Sequence, residues 1–172
     1  YMSKIVIIGA GAMGCAFALP CLDNNHDINI IGTHLENNFI DNLKKNNNLH
    51  PGLNTKIPEE VKIFKFEKFD ELLKKNVDLI VLGISSKGIE WASDQINRVY
   101  KEGQIPNLLL LTKGLSINEN KYELLVDKLE RLLSAKGKNK LNISAVGGPC
   151  LAAGLANRVH SSVVIANKDL NT

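Results

Sequence analysis

Short apolar runs recur along the chain at 4–8, 28–31, 61–66, 79–82, 108–111, 143–146 and 163–166, and longer polar segments separate them. Most of these runs are nearly continuous in Val, Ile and Leu, which predicts parallel strands buried on both faces. The run at 61–66 is broken by Lys62 and Lys65 and belongs nearer a sheet edge. From 122 to 133 the apolar positions Tyr122, Leu125, Val126, Leu129, Leu132 and Leu133 repeat at helical spacing with charges opposite, predicting one helix. Segments 36–47 and 88–99 are weaker versions of it. A further helix at 16–22 follows the first strand, and Pro20 predicts that it stops at Leu19. The stretch 46–60 contains Asn46, Asn47, Asn48, His50-Pro51-Gly52 and Pro58, lacks any period, and reads as a surface loop. Strand and helix in alternation predict an α/β fold, a doubly wound, mainly parallel sheet with helices on both faces.

Length then sets the organisation. The 172 residues suit one domain with a full core, taken as 2–172, with Tyr1 before Met2 read as a vector remnant. A net charge of +3, with lysines mixed among acids as in Lys65-Phe66-Glu67-Lys68, gives no basic stripe for nucleic acid. No apolar run approaches the ~20 residues that span a bilayer, so no membrane partner is expected. Cys15, Cys21 and Cys150 have neither metal-ligand spacing nor a pairing pattern. No metal is expected, and a reducing, cytoplasmic setting is.

The chemistry begins at Gly9-Ala10-Gly11-Ala12-Met13-Gly14, a G-x-G-x-x-G directly after the first strand and before the first helix. Gly9 permits the tight turn, Gly11 lets backbone approach a pyrophosphate, and Gly14 allows close packing of helix on strand. The helix N-terminus offers unpaired N–H groups and a positive dipole end to phosphates. In this position the motif predicts a dinucleotide-binding Rossmann domain. The second strand ends in Gly32-Thr33-His34, where an NAD enzyme would usually carry an acid; the first acid is Glu36. Thr33 and His34 could donate to a 2′-phosphate, so the expected cofactor is NADP or NAD, with NADP favoured.

Three further segments narrow the reading: Leu111-Thr112-Lys113-Gly114-Leu115, Gly147-Gly148-Pro149-Cys150-Leu151-Ala152, and Leu49-His50-Pro51-Gly52. With the glycine turn they resemble the N-terminal domain of NAD(P)-dependent glycerol-3-phosphate dehydrogenases, along essentially the whole chain. The resemblance implies an oxidoreductase of glycerophospholipid metabolism that moves hydride between nicotinamide and dihydroxyacetone phosphate or glycerol 3-phosphate. It places Ala12 and Met13 against the dinucleotide and Thr33 beside the adenosine ribose. Lys113 falls where a lysine contacts cofactor and substrate, Gly148 and Cys150 near the substrate, and Ala152 near the cofactor. It also implies a C-terminal helical domain, absent from this chain, that carries the acid–base lysine.

The departures from that pattern concern specificity. Cys150 stands for Ser or Thr, Leu151 for an aromatic, Ala153-Gly154 for Lys-Glu, Ser85 for proline, and Thr33 for arginine. Cys150 itself reads as a small inert residue. A ketopantoate-reductase-like enzyme is the nearest alternative, although Asn-Gly would be expected there in place of Lys113-Gly114. A non-catalytic NAD(P)-binding regulatory module is the alternative from another class. The expected partner is a small-molecule substrate, with a homodimer left open.

Overall fold

The computed structural model describes residues 1–101, 103–137 and 141–169, so the last three residues of the expected domain lie outside the described set. In chain order the elements are β1 (Lys4–Ile8), α1 (Ala12–Asp23), β2 (Asp27–Ile31), α2 (Asn37–Lys45), β3 (Leu49–His50), β4 (Thr55–Lys56) and β5 (Lys62–Phe64). Then follow α3 (Phe69–Leu73), β6 (Leu79–Leu82), α4 (Ile89–Val99), β7 (Asn107–Leu110), β8 (Leu115–Asn118) and β9 (Lys121–Leu124). The chain continues through α5 (Leu125–Ser134), β10 (Ile143–Gly147), α6 (Ala152–Ala156) and β11 (Val164–Asn167).

Seven strands form one sheet in the order β11-β10-β7-β6-β1-β2-β5. Every neighbouring pair is parallel except β10 with β11, which is antiparallel at one edge. The short strand β5 forms the other edge, as its interrupting lysines predicted. Parallel order in the middle explains the apolar runs. In β1, Ile5 and Ile7 enter one buried cluster with Ala16, Leu19 and Ile40. Val6 and Ile8 enter a second cluster with Phe69, Ile89, Ile96 and Leu129. Both faces are covered, so successive residues of these strands are mostly apolar, with Asn29 of β2 a buried exception. Helix α5 supplies a single stripe, burying Leu125, Leu129 and Leu133, four residues apart. Each such leucine contributes about 2 kcal/mol of burial.

Three local expectations are corrected. First, α1 runs through Pro20 to Asp23 instead of stopping at Leu19. Proline removes one backbone donor near the last turn, and the carbonyl of Pro20 still accepts the N–H of Asn24 at 3.2 Å. Second, Tyr122 is not helical. It lies in β9, paired antiparallel with β8 through Ile117↔Tyr122 and Leu115↔Leu124. The hairpin turn is Glu119-Asn120, with φ of 48° and 62°, the left-handed pair that a two-residue hairpin loop requires. Helix α5 therefore starts only at Leu125. All four apolar members of those pairs are exposed, while Ser116 Oγ on the other face donates to Glu123 Oε1 at 3.0 Å. Third, 46–60 is no bare loop. It holds the β3–β4 hairpin and buries Leu53 and Ile57.

Candidate functional site at the carboxyl edge of the sheet

Parallel strands deliver their carboxyl ends to one edge, and each sequence-predicted residue follows such an end. The glycine turn leaves β1 with Gly9 N–H donating to Ile31 O of β2 at 2.8 Å. Helix α1 then begins at Ala12, with Gly11 as its extended N-cap residue. Ala12 and Met13, both half-buried, form its first turn.

The three glycines differ in what surrounds them. A Cβ on Gly9 would lie 2.6 Å from Gly83 O, and one on Gly14 would lie 2.5 Å from Gly9 O. A Cβ on Gly83, the residue after β6, would lie 2.9 Å from Gly14 Cα. These are needs of internal packing. Gly11 has nothing within 4 Å of its Cβ position. The fold has no use for a bare backbone there, whereas an approaching pyrophosphate does, so these residues fit a dinucleotide.

Ala10, fully buried, has its peptide group held from three sides. Its N–H donates to Glu36 Oε1 at 3.1 Å. Its carbonyl accepts from Cys15 Sγ at 3.3 Å and from the His50 ring at 3.3 Å. Burial pushes the Cys15 thiol up to about 12, with the nearby Glu36 carboxylate adding to it.

Glu36 overturns one premise of the sequence reading. A carboxylate does return to the end of the second strand, because Glu36 Oε2 accepts the N–H of Thr33 at 2.7 Å. The signal was present in the spacing Thr33-x-x-Glu36, at which an acid can reach back to the first residue's N–H, here in the turn that precedes α2. His34 is exposed, yet its ring lies 5.1 Å from Trp91 and 6.2 Å from Phe66. Those two aromatic neighbours escaped the sequence reading, since only the fold brings Trp91 of α4 and Phe66 of the segment after β5 beside the end of β2.

At the other half of the edge, Lys113 Nζ donates to Gly148 O. The segments after β7 and β10 are thereby joined. Thr112 Oγ1 donates to Ile84 O of the segment after β6. Gly148 has φ of 101°, and a Cβ there would lie 3.0 Å from Ser162 O. Cys150 is buried and Leu151 exposed. Ala152 opens α6 and packs, half-buried, against the cluster that contains Ala16 and Leu19. A cavity of about 640 Å³ lies elsewhere, between α5, β10 and β11, and none of the sequence-predicted site residues lines it. Among the described residues no group of His, Cys, Asp or Glu could hold a metal ion. No helix among them is long and apolar enough to cross a membrane.

An open, mainly parallel sheet with a glycine turn at its carboxyl edge defines a Rossmann-like dinucleotide-binding domain. The chain belongs to the family described as NAD-dependent glycerol-3-phosphate dehydrogenase N-terminus, whose model matches residues 4–172. It is 29% identical over 163 residues to the NADP(+)-dependent glycerol-3-phosphate dehydrogenase of Archaeoglobus fulgidus, covering 95% of this chain and 46% of that protein. It is 28% identical over 170 residues to a glycerol-3-phosphate dehydrogenase [NAD(P)+] of Francisella tularensis, covering 98% and 47%. The chain thus spans about half the length of the curated relatives it matches. In fold it is similar to the crystal structure of glycerol-3-phosphate dehydrogenase from Coxiella burnetii. That match has a TM-score of 0.77 at 18% identity, over 99% of this chain and 48% of the other. A UDP-glucose dehydrogenase from Pyrobaculum islandicum shares the fold at a TM-score of 0.71 and 14% identity, over 99% and 42%. NAD or NADP is the cofactor named for the curated relatives.

Proposed function

We propose that this chain is the cofactor-binding half of an NAD(P)-dependent glycerol-3-phosphate dehydrogenase. The observation that carries the reading is the bond from Lys113 Nζ to Gly148 O, which gathers two motif segments at the carboxyl edge beside the glycine turn. Gly11, with the N–H groups of Ala12 and Met13, would cradle the pyrophosphate, and Thr33 and His34 would border the adenosine half. The bound cofactor supplies the hydride. Lys113 is an exposed ammonium, suited to a substrate phosphate or to polarising a carbonyl oxygen. Gly148 leaves backbone bare beside it, Cys150 presents a small side chain, and Ala152 borders the cofactor. Dihydroxyacetone phosphate and glycerol 3-phosphate are the substrates of this reading, and proton transfer falls to a lysine of a C-terminal helical domain. A cytoplasmic place in glycerophospholipid metabolism, and a homodimer, go with it. The three free cysteines, two of them buried, support a reducing compartment.

The test is oxidation of NADH and NADPH by the full-length gene product with dihydroxyacetone phosphate, ketopantoate serving as control. Turnover of the first substrate and its loss on Lys113→Ala support the reading. Cofactor binding without such turnover, or turnover of ketopantoate, overturns it.

A further inference from the structure

Glu36, the residue that precedes α2, binds backbone on two sides. One oxygen accepts the N–H of Thr33 at the end of β2 and the other the N–H of Ala10 in the glycine turn, so a single carboxylate staples two segments 26 residues apart in sequence. The second bond aims the carboxylate at the place where the turn and the end of the second strand meet, and that is where domains of this architecture receive the adenosine ribose.

We propose that Glu36 makes this site select the dinucleotide with a free ribose 2′-hydroxyl, NAD over NADP. The inference rests on the dinucleotide reading above. A 2′-phosphate would need backbone donors and positive charge. The N–H groups of Ala10 and Thr33 are already bonded to the Glu36 carboxylate, and the segment Gly32-Thr33-His34-Leu35-Glu36 contains neither lysine nor arginine. The added phosphate would meet a like charge in a half-buried corner, which is the arrangement that rejects a wrong partner. A 2′-hydroxyl meets no such penalty. Each carboxylate oxygen has a second lone pair beyond the one used by backbone, so Glu36 can accept the hydroxyl proton without releasing Thr33 or Ala10. The preference expected from Thr33 and His34 as phosphate donors is thereby reversed, because Glu36 already occupies the Thr33 N–H. Selection here departs from the NADP(+)-dependence named for the Archaeoglobus fulgidus relative.

The experiment is titration of the protein with NADH and with NADPH by calorimetry, for the parent and for Glu36→Gln and Glu36→Ala, with thermal melts of all three. Adenosine 5′-monophosphate and adenosine 2′,5′-bisphosphate serve as competitors that probe the adenosine half alone. The parent is expected to bind NADH about tenfold tighter than NADPH, with Glu36→Gln narrowing the ratio mainly through a gain for NADPH. The bisphosphate should gain in the same variant. Equal or tighter binding of NADPH by the parent overturns the selection while leaving the dinucleotide reading in place. A variant that weakens both cofactors equally, with a lowered melting temperature and an unchanged ratio, reduces Glu36 to a structural staple and also overturns it. Failure of both dinucleotides to bind overturns the underlying reading itself.

Discussion

His50 and Ala10, 40 residues apart in sequence, meet through a hydrogen bond of 3.3 Å between the imidazole Nε2 and the alanine carbonyl. Gly52 N–H donates to Nδ1 of the same ring at 3.1 Å, so Nδ1 is bare and the proton sits on Nε2. The ring is 3% exposed and lies edge-on to Phe39, with centroids 5.3 Å apart. The loop that lacks any sequence period is thus fastened to the glycine turn through a neutral histidine.

That neutrality gives a pH dependence. Burial pushes the His50 pKa below its ordinary 6.5, against the smaller opposing effect of the Ala10 hydrogen bond. The unfolded chain therefore takes up the proton first as pH falls. The stability contributed by neutral His50 is complete above about 6.5 and declines as pH drops from there towards the lower folded value. Urea denaturation at pH 7.5 and 5.5 should show a larger loss for the parent than for His50→Leu. Equal losses in both would show that His50 does not carry it.

The glycine turn separates folding from binding. Gly14→Ala would force a Cβ to 2.5 Å from the backbone oxygen of Gly9, and should cost about 1–3 kcal/mol. Gly11→Ala meets nothing within 4 Å and sits at φ −69°, which alanine adopts freely. It should stay within about 1 kcal/mol of the parent in stability. Its dinucleotide affinity should nevertheless fall about tenfold or more, or 1.4 kcal/mol. Melting curves beside calorimetric titration read both effects.

Asn97 lies on α4, 8% exposed, and neither polar atom of its side chain has a partner among the described residues. Replacement by leucine removes two buried unpaired groups at similar volume and should stabilise the fold by about 1 kcal/mol. The check is the urea midpoint at unchanged slope. A lowered midpoint would reveal a partner for the amide.

Removal from water also protects two thiols, the buried Cys15 and the half-buried Cys21. Cys15 is pushed up to about 12 and Cys21 to about 11 by removal from water, so at pH 8 both are protonated and unreactive as nucleophiles. Mass spectrometry after iodoacetamide should find both unmodified in the native protein and both alkylated in denaturant. Modification of Cys15 in the native state would contradict its bond to Ala10.

Much of this architecture was legible because the strands are buried on both faces. Runs such as Leu79–Leu82 admit no polar residue and so announce themselves. The glycine turn was legible as a fixed spacing next to such a run, whereas Lys113 was singled out only by the resemblance that Thr112-Lys113-Gly114 carries. What escaped depended on where two segments meet. Tyr122 stands at helical distance from Leu125 and Val126, and only the left-handed pair Glu119-Asn120 turns it into a strand. Asn118-Glu119-Asn120 could have given that hairpin away, being rich in residues that tolerate such a turn. Glu36 reads as a surface acid until the fold sets its second oxygen against Ala10. His50 looked like a loop residue for the same reason.

Gly9, Gly14 and Gly83 form a closed circuit in which each Cβ position is claimed by the main chain of another member. Obstruction by a side chain can be relieved by trimming that side chain; obstruction by main chain cannot. Trimming a neighbouring side chain therefore cannot make room for a larger residue at any of the three. In a library randomised across this domain, Thr33 and Cys150 are free to drift with the ligand selected. The three glycines would survive even under selection for folding alone, with Gly83 retained as strictly as the two in the fingerprint.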